Sequence, residues 1–247
     1  MIRGAAALCL TILTLGACDA GPGKVRQPAE PKYGFPAADR PVATIVSARW
    51  SDEESRDRLN EAETVMDRAG IRKGMTVADI GAGEGYYTIR LSARVGADGR
   101  VLAEDIVPEV RDTLATRVAR ERLDNVSVRL GLPADPRLPE NSFDRVLMVH
   151  MYHEIESPYE FLWRMRPSLR PGGQVIVVDA NRATQEHGTP PDLLKCEFAA
   201  VGYVQVAIQK MPTAGGYLAI FEAQGDRPEP QAIKPCKSVQ QPAPKGG

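Results

Sequence analysis

The chain carries Val77-Ala78-Asp79-Ile80-Gly81-Ala82-Gly83-Glu84-Gly85-Tyr86-Tyr87-Thr88 about a third of the way along its length. A short β-branched run carrying an acid, then three alternate glycines, then a helical pattern, predicts a strand, a tight turn and a helix start. Glycine lacks Cβ, so Gly81, Gly83 and Gly85 can take positive φ and let a ligand approach the backbone N–H groups at the positive end of a helix. Asp79, at the carboxyl end of the strand, is placed to accept a hydrogen bond from a cationic amine.

Spacing separates the ligand classes that use such a turn. A dinucleotide site wants G-x-G-x-x-G, whose third glycine lets helix and strand pack closely. Tyr86 occupies that third place, and the pattern is G-x-G-x-G preceded by Asp79. It resembles the first motif of the class I S-adenosylmethionine (SAM)-dependent methyltransferases, in which the acid and glycines surround the methionyl part of SAM. The resemblance implies SAM as cofactor, with Asp79, Gly81, Gly83 and Gly85 among the residues that hold it.

Later segments extend the resemblance over roughly residues 49 to 222. Val101-Leu102-Ala103-Glu104-Asp105-Ile106-Val107-Pro108-Glu109 is a second strand running into a helix. Asp105 stands about 20 residues beyond the glycine turn, the offset at which an acid reaches a ribose diol in nucleotide-type sites. Glu104 is its rival, and an N-cap for the helix at Pro108 is the alternative use of Asp105. After a third strand at 126–130, the loop 131–139 resembles the family's adenine loop, which assigns Asp135 to the exocyclic amine; a surface-turn aspartate is the competing reading. A strand over 145–149 ends at His150-Met151-Tyr152-His153-Glu154. Ligands of doubly wound sheets sit at the carboxyl ends of strands, so this group is aimed toward the methyl and its acceptor. Leu169-Arg170-Pro171-Gly172-Gly173 leads into a buried strand over 174–179, a helix starts at Pro191, and strands at 203–209 and 217–222 form a closing antiparallel pair. Alternating strand and helix signals independently require a parallel sheet. The expected fold is α/β, a doubly wound, seven-stranded, mostly parallel Rossmann-like sheet with an antiparallel C-terminal hairpin.

Ser51-Asp52-Glu53-Glu54 reads as a capping box opening one helix through Leu59, Ala62, Met66 and Ala69, stopped by Gly70. In methyltransferases such a helix closes over the SAM site, so Arg49, Trp50 and Arg56 either face the cofactor or form a solvated face with one packing Trp. Ser157-Pro158-Tyr159-Glu160 reads as a second capping box.

The 247 residues are 43% hydrophobic and 26% charged, with a formal net charge of -1, enough for one domain with a full core plus tails. No basic block is present, which argues against nucleic acid as a partner. Arg3 and the apolar run Ala5 to Leu15 read as an export signal, shorter than the about 20 residues that span a bilayer. Leu15-Gly16-Ala17-Cys18 resembles a bacterial lipobox, which makes residues 1–17 a lipoprotein signal and attaches the chain to the membrane through lipidated Cys18, on the periplasmic side. Residues 18–45 are rich in proline and read as a semi-extended tether. The methyltransferase domain is expected over 46–224, followed by a proline-rich tail over 225–247. Cys196 and Cys236 are left over; in an oxidising compartment they pair and pin the tail, or else stay one buried and one exposed thiol.

Methyl transfer from a sulfonium is an in-line displacement with an excellent leaving group, so the protein chiefly aligns the acceptor and excludes water. A base is needed only if the acceptor carries a proton. His153 is the first candidate and His150 the second, because imidazole titrates near neutrality, with Tyr152 and Glu154 positioning the acceptor or the ring. The bland reading leaves His153 and Glu154 satisfying loop backbone. No metal-ligand spacing and no nucleophile motif stand out. A small-molecule or protein acceptor is expected, and its identity and the oligomeric state are not encoded in any motif. Export would place the domain outside the compartment where SAM is expected. That keeps a second reading open: a non-catalytic lipoprotein binding a nucleoside-like ligand on this fold. A dinucleotide oxidoreductase is a third, opposed by Tyr86.

Overall fold

The computed structural model describes residues 33–45 and 53–237. Ser51, Arg49, Trp50 and the signal and lipobox residues lie outside the described residues.

Seven strands form one sheet: β1 (Thr76–Ile80), β2 (Arg100–Asp105), β3 (Val126–Leu130), β4 (Phe143–Val149), β5 (Leu169–Asp179), β6 (Tyr203–Met211) and β7 (Gly216–Ala223). Their order is β3-β2-β1-β4-β5-β7-β6. β1 to β5 pair parallel, and β7 pairs antiparallel with both β5 and β6. This is the fold expected from the sequence.

Helices cover both faces: α1 (Glu53–Arg58), α2 (Glu61–Arg68), α3 (Tyr86–Val95), α4 (Pro108–Arg120), α5 (Pro158–Met165) and α6 (Pro191–Ala200). Successive strand side chains point to opposite faces, so one strand feeds two cores. In β5, Val175 and Val177 join Phe161, Leu194 and Phe198, whereas Ile176 and Val178 join Val65, Leu91 and Val95. Burial on both sides explains the continuous β-branched run that marked this strand.

Three local expectations fail for physical reasons. The helix expected from Ser51 to Ala69 is broken at Leu59-Asn60, where Asn60 takes φ 52. Helix α1 buries none of its residues and Leu59 is exposed, so charge contacts rather than core packing hold it. Asn tolerates the left-handed turn that separates the two pieces. The box expected at Ser157 makes no side-chain cap; Glu160 instead accepts from Arg164, and Pro158 at the first helical position fixes the start.

The third concerns the proline-rich strap, whose part at 33–45 is packed rather than free. Phe35, Ala38, Val42 and Ala43 are buried. Arg40 Nε lies 2.8 Å from Glu197 Oε1, with both side chains inaccessible. Phe35 meets the edge of Trp163, whose indole N–H donates to Pro228 O at 2.8 Å. Proline presets an extended conformation, so few apolar residues suffice to dock the strap.

At the tail, the backbones of Asp39 and Lys237 form an isolated parallel β-bridge, and Cys196 and Cys236 form a disulfide at a sequence separation of 40. Of the two fates left open for these cysteines, the paired one is realised. Reducing it is expected to cost about 2–4 kcal/mol of stability through the freedom returned to the unfolded loop. Urea unfolding with and without reductant measures this, and coincident curves would show that tail packing alone holds the segment.

Candidate cofactor socket and active site

The carboxyl ends of β1, β2 and β4 converge on the glycine turn. Gly81, Gly83 and Gly85 have φ of 66, 56 and 93°. A Cβ on Gly85 would lie 2.5 Å from Leu114 Cδ1, so this position needs glycine for close approach as well as for φ. The chain turns directly into α3, whose N-terminus has no side-chain cap.

The use of the turn's N–H groups differs from expectation. Ala82 N–H donates to Glu104 O at 2.9 Å, Gly85 N–H to Ala82 O at 3.0 Å, and Gly83 N–H to Asp105 Oδ2 at 3.0 Å. These donors are therefore already engaged, two of them by the end of β2 and one within the turn. Against the turn stand two buried carboxyls, those of Asp79 and Asp105.

Asp79 is buried and accepts from the Thr88 hydroxyl at 2.6 Å. Burial pushes its carboxyl up to about 6, against that hydrogen bond and the Arg56 charge. Asp105 holds both flanks of the socket, taking Gly83 N–H on one oxygen and Val107 N–H, at 2.9 Å, on the other. Burial raises its pKa as well. Glu104, its rival in the sequence, faces the other side of the sheet against Gly131, with Oε1 lacking a hydrogen-bond partner among the described residues. Burial first, and the Asp105 charge second, push Glu104 up to about 8. Neither Asp79 nor Glu104 forms an ion pair among the described residues.

Asp135 makes different contacts, although its charge also acts on Glu104. Its Oδ1 accepts from Arg137 N–H at 2.7 Å, closing its own turn, and Oδ2 is 3.9 Å from Arg164. This local bond is the one a turn aspartate makes, a short acid two residues before a backbone donor.

Helix α1 lies across the start of α3. The Arg56 guanidinium sits 3.8 Å from the centre of the Tyr86 ring and pairs with Glu61 at 2.6 Å. Tyr86 OH donates to Asp57, Arg90 pairs with Asp57 at 2.5 Å, and Glu53 accepts from Arg117, which also donates to Glu84 O. Arg56 is thus an inward-facing, stacked cation rather than part of a solvated face.

At the end of β4 the histidines separate. His150 follows the strand at φ 54, and burial lowers its pKa, so its ring is neutral at pH 7. Charges at Asp179, Glu61 and Arg56 all act on it, which places it between β5 and the cover helices. Met151 lies against Gly81. Tyr152 corrects the sequence reading: it is fully buried and donates to Glu197 Oε2 at 2.7 Å, in the same core network as Arg40, where no acceptor can reach it. His153 is also fully buried, with Nδ1 at 3.0 and 3.1 Å from the two oxygens of Asp179.

Sequence reasoning missed Asp179, His187 and Thr189. Asp179 accepts from the Thr189 hydroxyl at 2.7 Å and from Ala180 N–H at 2.8 Å, and the His187 ring stands edge-on to His153 at 5.5 Å. Only the acid ending the β5 run could have signalled it. A cleft of about 530 Å³ lies at the opposite end of the strands, by the start of β5 and the end of β7, lined by Arg166, Arg170 and Arg227. Those cations are already engaged by the carbonyls of Gln224 and Gly225, by Asp144 and by the Trp163 ring.

A seven-stranded sheet of this order, with the glycine turn at its first strand, has the Rossmann-like fold of the class I SAM-dependent methyltransferases. Residues 78–177 match a family model described as a methyltransferase domain. The chain is 32% identical over 126 residues to the ubiquinone/menaquinone biosynthesis C-methyltransferase UbiE of Hahella chejuensis, covering 48% of each. The chain spans about half the length of such relatives. Its fold is similar to that of a SAM dependent methyltransferase from Aquifex aeolicus, with TM-score 0.59, 23% identity, and coverage of 70% of this chain and 97% of that one. It is also similar to the glycopeptide N-methyltransferase MtfA, solved with SAM, with TM-score 0.54, 14% identity, and coverage of 66% and 87%.

Proposed function

We propose that this chain is a SAM-dependent methyltransferase acting on a small-molecule or protein acceptor, and that it works as an exported lipoprotein held to the membrane through Cys18. One observation carries the cofactor reading. Asp79 and Asp105 crowd the glycine turn with their carboxyls raised by burial, and Asp79 lacks an ion-pair partner among the described residues. A buried carboxylate without a cation is costly, and a ligand bearing ammonium and sulfonium charges offsets that cost.

In this reading Asp79 accepts from the ligand's ammonium group, and Asp105, already fixed by two backbone donors, accepts from its ribose hydroxyls. The glycines keep Cβ atoms out of the socket. When bound, SAM supplies a methyl group on a sulfonium that departs as a neutral thioether. His150 takes the role of base for an acceptor that carries a proton: its ring is neutral, and it lies toward the cover helix, whereas His153 is sealed behind it. Arg56, clamped on Tyr86 and Glu61, helps close the socket from water.

The Leu15-Gly16-Ala17-Cys18 sequence supports lipidation. The Cys196–Cys236 disulfide supports an oxidising compartment, since such bonds persist outside the cytosol. Among the described residues no helix is long and apolar enough to cross a membrane.

Calorimetric titration with SAM, then incubation with labelled SAM and membrane extract, tests the proposal. Saturable binding and label in a discrete acceptor are expected. His150→Ala should leave SAM affinity within about twofold and slow transfer about 10²–10⁴-fold, the usual weight of a general base. Unchanged turnover removes His150 from the mechanism, and binding without any transfer supports a non-catalytic ligand-binding lipoprotein instead.

A further inference from the structure

Two turns at the carboxyl end of the sheet bring together side chains that the proposed methyl transfer does not use. His153 and Glu154 stand in the turn Tyr152–Glu154 after β4, and His187 follows the turn Thr184–Glu186 after β5. One ligand atom from each of the three lies within 4.8 Å of the others.

His153 is arranged as a ligand rather than as a packed core histidine. Its Nδ1 faces the Asp179 carboxylate, which Thr189 and Ala180 lock in place. A carboxylate at Nδ1 holds the proton there, so the lone pair falls on Nε2, the tautomer that binds metals. That Nε2 is buried, with no hydrogen-bond partner among the described residues. A buried acceptor left unpaired costs about 1–3 kcal/mol, a cost that a cation bound there would remove.

We propose that His153 Nε2, the Glu154 carboxylate and a ring nitrogen of His187 bind one divalent transition-metal ion of the zinc type, with Asp179 orienting His153. The donor set selects the ion. Two imidazoles disfavour magnesium and calcium, which take oxygen ligands, and the absence of thiolate among the three disfavours copper(I). Glu154 and Asp179 supply the negative charge that balances the ion. Metal–ligand distances near 2.1 Å put tetrahedral ligand atoms about 3.4 Å apart, so binding draws the ligand atoms together by at most about 1.4 Å. Glu154 and His187 are only partly buried and can make that movement, while His153 stays fixed by its carboxylate. Three protein ligands leave a fourth position open, as in catalytic rather than structural zinc sites. The site clips the β4 and β5 turns to each other beside the socket.

The test is titration of chelator-treated protein with zinc chloride, and with cobalt(II) as a visible probe of tetrahedral geometry. One equivalent is expected to bind, with intense cobalt d–d absorption and a raised Tm. Asp179→Asn should weaken zinc binding about 10–100-fold, and His187→Ala and Glu154→Ala by at least as much. The last two replace partly buried turn residues, so they decide the matter even if a change at His153 prevents folding. Wild-type protein that binds no stoichiometric zinc, or binding that both ligand variants leave intact, overturns the proposal. No SAM is present in the titration, so its result stands apart from the methyltransferase assignment.

Discussion

Asp105→Ala is expected to lower SAM affinity by about 100-fold or more. Two hydrogen bonds from ribose hydroxyls to a charged acceptor are worth about 1.5–3 kcal/mol each, and every 1.4 kcal/mol is a factor of ten. The same carboxylate braces Gly83 and Val107, so its removal also loosens the turn. Asp105→Asn separates the two effects, because the amide oxygen still accepts one brace while the charge is gone. Titration calorimetry, with circular dichroism to confirm the fold, reads the result. If the alanine variant folds and binds SAM as tightly as the parent, Asp105 is a structural brace and the ribose contact belongs elsewhere.

The second large effect is on stability against pH. Glu104 is raised to about 8 and Asp79 to about 6, in both cases chiefly by burial. A carboxyl raised on folding binds its proton more tightly in the folded chain. Its contribution is full below the unfolded pKa and is lost as pH rises through the folded one. For Glu104 the loss runs at about 1.4 kcal/mol per pH unit from near pH 5 to pH 8. The ligand-free protein should therefore lose about 4 kcal/mol from this group over that range, with Asp79 adding its share below pH 6. Glu104→Gln keeps the shape and removes the charge, so the variant should gain on the parent from pH 6 to about 8 and level off above. His150 and His187, whose pKa values burial lowers, titrate in the opposite sense but equally in both proteins. Urea unfolding at pH 6 and pH 8.5 gives the comparison, and parallel profiles for the two proteins would show that Glu104 is not protonated at neutral pH.

These carboxylates show what local pattern can and cannot specify. Glu104 and Asp105 are adjacent acids at one strand end, and strand alternation guarantees that they face opposite sides. Which side holds the glycine turn depends on pairing: Asp79 aligns with Ala103 in β2, so Asp79 and Asp105 share the face that α3 covers. Periodicity marked Ser51 to Ala69 as one helix, but Arg56 finds Tyr86 and Glu61 only if the chain turns at Asn60. Likewise, residues 33–45 look solvated by composition and become a docked strap through Arg40 and Glu197, which are 157 residues apart.

The sheet, its antiparallel ending, the glycine turn and the acids beside it were legible in local pattern, because strand period, glycine φ and helix punctuation act between near neighbours. Long-range packing set Tyr152 in the core and brought His153 to Asp179 and His187. Those outcomes depend on burial and on contacts between distant segments, whose energies exist only once the sheet has brought its strand ends together.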